Sequence, residues 1–149
     1  MKLIIGFVVV ILLWMIYFAT QLSATYAPLK SYRFSMTTEE LQERLFQVVD
    51  TNPNMTLNLS DSTGTDKENR HYHADILIKG ETEEYEFSIS YYTKDGLWKN
   101  NDKSVVSLVG AFDRVNRTGG YKIDNTDIEK LITVFENQVI NKIDKNSSR

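Results

Sequence analysis

Residues 69–75 read Asn-Arg-His-Tyr-His-Ala-Asp and hold both histidines of the chain. In an extended strand successive side chains point to opposite faces, so His71, His73 and Asp75 share one face and Tyr72 and Ala74 the other. Two imidazoles and a carboxylate are donor types of a catalytic zinc site, in which three protein ligands leave a fourth position for water. Such a site also needs groups that orient each imidazole. The hairpin register argued below sets Ser90 and Ser88 opposite His73 and Asp75, and the chain has no third histidine and no cysteine. The expectation is a solvated polar strand face. His71, His73 and Asp75 are kept as weak metal candidates, and no cofactor or catalytic residue is assigned.

Other chemistry is narrowed by composition. With no cysteine, thiolate metal sites, cysteine nucleophiles and disulfides are excluded. No nucleophile elbow, phosphate-cradling glycine loop or zinc-helix motif occurs. The formal charge is −3 and no basic block is present, which argues against a nucleic-acid partner, since phosphate binding needs clustered Lys and Arg. Tyr91, Tyr92 and Trp98 are close in sequence and form a possible binding surface.

The elements that position these residues are legible from periodicity. Residues 32–36 are expected to form a short strand. Thr37 and Glu40 then fit a capping box, with Met36 stapled to Leu41, and Leu41, Leu45, Val48 and Val49 fall on one helical face before Pro53. Met55, Leu57 and Leu59 alternate with polar residues as in a half-buried strand, and residues 61–70 are expected to be a polar loop. Two more alternating runs follow, Tyr72, Ala74, Ile76 and Ile78 in one and Tyr85, Phe87, Ile89 and Tyr91 in the other. A two-residue turn between them would oppose Asp75 and Glu86. A four-residue loop at 80–83 pairs Lys79 with Glu84 and Asp75 with Ser88, and is preferred because opposed like charges are unfavourable by a few tenths to about 1 kcal/mol.

"KSVVSLVGAFDRV" is apolar on both faces, as suits a central strand, and "RTGG" is expected to turn. The last element, from Ile123 to Asp144, is predicted to be a helix capped by Asp124. Ile123 is stapled to Ile128, and Ile128, Leu131, Ile132, Phe135, Val139 and Ile143 line one face. The order is (β)-α-β-β-β-β-α. That implies an α+β domain, an antiparallel sheet of about four to five strands with both helices packed on one face.

The N-terminus is of another kind. From Leu3 to Ala19 there are seventeen residues with no charge and no polar side chain. At 1.5 Å per residue they span roughly 25 Å, near the hydrocarbon thickness of about 30 Å. A cleaved signal peptide is the competing reading, but its apolar core is usually shorter and ends in an A-x-A-like site, which is missing here. The expected organisation is a transmembrane anchor at 1–22, contacting the membrane through residues 3–22, a linker at 23–31, the α+β domain at 32–143, and a polar tail at 144–149. The very short leading segment predicts the N-terminus inside and the body on the extracytoplasmic side.

Three functions fit this organisation. The first is a membrane-tethered, non-catalytic domain that binds a protein partner or supports an envelope assembly. The second is a domain that binds lipid or a small apolar ligand. The third is a metal-dependent enzyme using His71, His73 and Asp75.

Overall fold

A computed structural model describes residues 27–63, 71–93, 103–123 and 126–146. The expected anchor at 1–22 lies outside them, and among the described residues no helix is long and apolar enough to cross a membrane. The remainder is an α+β domain. Its strands are β1 (Lys30–Phe34), β2 (Met55–Thr63), β3 (His71–Lys79), β4 (Glu84–Thr93), β5 (Ser104–Asp113) and β6 (Thr118–Gly120). Helix α1 (Thr38–Asp50) separates β1 from β2. After β6, α2 (Thr126–Phe135) continues through a π-helical turn (Glu136–Ile140) into α3 (Asn141–Asn146).

All strand pairings are antiparallel, in the order β1-β5-β4-β3-β2. β6 pairs with β5 beyond the stretch that β1 covers, so β1 and β6 share one edge of β5 end to end. This places β5 inside the sheet, as its apolar faces implied.

The β3–β4 hairpin has the register that the charges favour. Lys79 lies opposite Glu84 and Asp75 opposite Ser88, and the Gly80 N–H closes the loop on the Glu83 carbonyl at 2.7 Å. On one face Ala74, Ile76, Phe87, Ile89, Tyr91, Val106, Leu108 and Ala111 join Leu41, Leu45 and Val48 of α1 and the buried face of the last helix in a single core. Both helices therefore cover the same side of the sheet. At the start of α1 the Thr37 hydroxyl accepts from the Glu40 N–H at 3.1 Å, and Met36 and Leu41 are both buried.

Four local expectations are corrected. β1 begins at Lys30, not residue 32. The Leu29 N–H already donates to the Leu108 carbonyl at 2.7 Å, because β5 offers an edge that polar Lys30 and Ser31 can pair with as well as any apolar residue. Asp61, Ser62 and Thr63 are strand rather than loop, carried past a bulge after Leu59 by pairing with β3.

Thr118–Gly120 is a strand rather than a turn. The reversal comes earlier, where the Asp113 carboxylate accepts from the Val115 and Asn116 N–H groups and the Asn116 side chain. Arg117 takes the left-handed φ of 55° that closes it. Finally, Ile123 is 60% exposed and staples nothing, while Ile128 is buried as expected. The chain leaving β6 is held on the sheet's other side by Tyr121, described below. The Asp124 cap lies outside the described residues.

Candidate functional site

His71, His73 and Asp75 do share the sheet face turned away from the helices, since Ala74 and Ile76 between and beside them are in the core. They do not converge. Residues two apart on a strand are about 6.6 Å apart, which leaves His71 and Asp75 about 13 Å from each other, too far for one ion. Each also has its own neighbours. The His71 ring stacks on Tyr92 with centroids 4.6 Å apart, and the Asp75 carboxylate accepts from the Ser88 hydroxyl at 2.7 Å. Among the described residues no three His, Asp or Glu side chains are arranged to hold a metal.

The aromatic trio is split. Tyr91 is fully buried on the core face, stacked on Tyr72 at 5.1 Å, whereas Tyr92 faces the other way beside His71. Trp98 lies outside the described residues.

Tyr91 has a different significance. Its hydroxyl is buried without a hydrogen-bond partner. Burial, with a contribution from Tyr72, pushes its phenol up to about 12. A tyrosine of the unfolded chain ionises near 10. Above that pH the unfolded state has given up a proton that the folded state still binds, so stability is complete below about pH 10 and falls as pH rises toward 12. The melting temperature of the full chain in detergent is expected to drop over this interval, and Tyr91→Phe to flatten the drop. Phenolate absorbance followed alongside circular dichroism measures both.

One open cleft was not foreseen from the sequence. It lies where β5 meets β6 and holds about 530 Å³, lined by Glu86, Phe112, Arg114, Arg117 and Tyr121, with Asp113, Thr118 and Gly119 completing it. A pocket of that size suits a large side chain or small ligand. The Tyr121 ring lies against Gly110 and meets Phe112 edge-on, with centroids 5.1 Å apart. A Cβ at position 110 would come within 2.7 Å of that ring, so the missing side chain is what seats it. Arg114 is paired with Glu86. Arg117 stands on the left-handed residue of the turn. One signal was present in the sequence: a glycine inside an otherwise apolar strand marks a close approach, here between Val109 and Ala111.

A second cluster joins β1 to the last helix. The Glu136 carboxylate pairs with the Lys30 ammonium at 2.5 Å and accepts from the Tyr32 hydroxyl at 3.1 Å. Burial and this carboxylate together raise the Tyr32 phenol well above its ordinary range. Glu136 opens the π-helical turn, which lets Val139, Ile140 and Ile143 all reach the core. The cluster fastens the first strand of the domain; its groups are already satisfied by one another.

In comparisons with known proteins, the chain matches no family model, no curated protein and no solved structure.

Proposed function

We propose that this protein is a membrane-tethered, non-catalytic domain that binds another protein on the extracytoplasmic side, as an accessory component of an envelope assembly. The tether is the apolar run from Leu3 to Ala19. The binding reading is carried by the β5–β6 cleft. It combines an aromatic wall (Phe112, Tyr121) with an arginine rim (Arg114, Arg117), and the chain on either side exposes Val115 and Ile123. Tyr and Arg are the residue types that dominate interface energetics, and a cleft between them accepts a protruding apolar or acidic side chain.

The alternative reading, a lipid or apolar-ligand carrier, needs space between sheet and helix. The observed packing works against it, because Phe135 sits there with its ring 5.2 Å from Phe87 and 5.9 Å from Tyr32.

The test uses the full chain in its own membrane, with a photo-crosslinking residue at exposed Val115. A single specific protein adduct is expected. Arg117→Gly should reduce it about tenfold, equivalent to about 1.4 kcal/mol, without lowering the melting temperature, because glycine takes the φ of 55° more readily than arginine. Gly110→Ala, which dislodges Tyr121, should reduce it as well. An adduct indifferent to both substitutions would place binding elsewhere; no adduct at all would reject the reading.

A further inference from the structure

β2 is an edge strand, and its hydrogen-bond parity can be read from its start. The Lys79 N–H donates to the Asn54 carbonyl at 2.7 Å, and these residues stand opposite each other by extension of the Met55–Ile78 pairing. In an antiparallel ladder, residues exchanging such bonds recur every second position. Thr56 and Asn58 therefore turn their backbone groups toward β3, while Leu57 and Leu59 turn theirs outward. Among the described residues nothing pairs with that outer edge.

Long edge strands are usually protected by lysine, proline or a bulge. β1, at the other side of the sheet, is five residues long and carries Lys30 and Arg33. β2 is nine residues long and has no lysine, arginine or proline, and from Met55 to Ser60 it has no charge at all. Its bulge comes after Leu59 and leaves the first half regular. Leu59 is 50% exposed, and Phe46 on α1, the helix packed against β2, is 36% exposed.

We infer that β2 pairs antiparallel with β2 of a second copy of this chain, about a two-fold axis through Asn58. With the axis there, Leu57 faces Leu59 of the other copy, and all four outward N–H and C=O groups of those two residues are paired. An axis through Leu57 would instead oppose Leu59 to Met55, whose N–H is already donated to the Asn52 carbonyl at 3.0 Å, leaving the Leu59 carbonyl without a donor. The Asn58 axis also sets leucine against leucine on the helix side of the seam, Asn58 against Asn58 on the other, and no like charges opposite one another along 56–60. An axis normal to the sheet keeps both helix layers on one side, so the two α1 helices flank the seam and bring Phe46 toward its copy. The second copy is favoured over a foreign peptide because the edge satisfies its own outward backbone groups and sets no like charges opposite one another.

The chain has no cysteine, so single cysteines report the register directly. Two Asn58 residues across the axis form a non-hydrogen-bonded pair with Cα atoms about 4.5 Å apart, within the span of a disulfide. Under mild oxidation the full chain in detergent carrying Asn58→Cys should give a covalent dimer quickly. Thr56→Cys, four residues from its copy across the axis, should not. Leu59→Pro removes an outward N–H and no bond to β3. Sedimentation should show the wild type as a concentration-dependent dimer and Leu59→Pro as a monomer with a near-unchanged melting temperature. A monomeric wild type, equal crosslinking at 56 and 58, or a dimer that survives Leu59→Pro would overturn the inference. The last outcome would assign association to another part of the chain.

Discussion

Gly119→Ala is expected to destabilise the domain severely while leaving a measurable unfolding transition. Gly119 has φ of +111°, where an L side chain is strained, and a Cβ built on it would lie 2.2 Å from the Ala111 carbonyl oxygen and 2.8 Å from the Phe112 Cα. Both atoms are backbone of β5, which is held by β4 along its length, so neither can retreat without breaking the ladder at the centre of the sheet. Strain at positive φ is worth about 1–3 kcal/mol and the backbone overlap adds to it. A total of about 3–5 kcal/mol is a large part of the 5–15 kcal/mol that holds a domain together. Gly120 is the built-in comparison. Its φ is +156°, but a Cβ there meets nothing within 4 Å, so Gly120→Ala should lose only about 1–2 kcal/mol. Denaturant midpoints of the two variants, measured side by side, decide the matter. Equal losses would mean that β6 does not pair as closely as described.

Phe135→Ala should destabilise by about 3–5 kcal/mol, the range for removing a buried aromatic ring. Phe135 is fully buried and contacts Phe87 of the sheet and Tyr32 of β1, so the void would open between both layers. The damage should also spread. The next residue is Glu136, whose bonds to Lys30 and Tyr32 tie down the first strand. Amide exchange in β1 is therefore expected to accelerate more than in β3. Val115→Ala, at a position 55% exposed, should change stability by no more than about 0.5 kcal/mol. A loss under about 2 kcal/mol for Phe135→Ala would show that the helix collapses into the space.

Local patterning made part of this architecture legible. The period-3.6 stripe named the buried face of the last helix from Ile128 to Ile143, and two charges, Asp75 and Glu86, were enough to choose the β3–β4 register. What escaped depends on partners distant in the chain. Nothing near Lys30 or Thr118 says that β5 has an edge for them; the edge exists only once β4 has taken the other side. The π-helical turn has no local signature here either, because it accommodates what the helix meets.

Alternation already put Tyr91 on the core side with Phe87 and Ile89, so grouping it with Tyr92 as a surface ignored the stronger rule. Alternation likewise places His71, His73 and Asp75 on the face turned away from the helices. The rise of about 3.3 Å per residue along a strand keeps His71 and Asp75 too far apart to share one ion. The cleft at Tyr121 leaves only one trace in the sequence, Gly110 inside an apolar strand, because the ring that this glycine seats comes from beyond β6.

The direction of β1 has a consequence for the tethered reading. β1 runs antiparallel to β5 with Lys30 beside Leu108 and Phe34 beside Ser104, so the chain enters from the half of the sheet where β6 and the cleft lie. Only residues 23–28 remain between the expected anchor and Leu29, a reach of at most about 20 Å. On that reading the cleft is confined to a thin layer above the bilayer and explores it by lateral diffusion. A partner held in the same membrane would meet it at a local concentration that short linkers typically raise to about millimolar. A modest intrinsic affinity would then be enough for high occupancy, while the same partner released into bulk solution would go largely unbound.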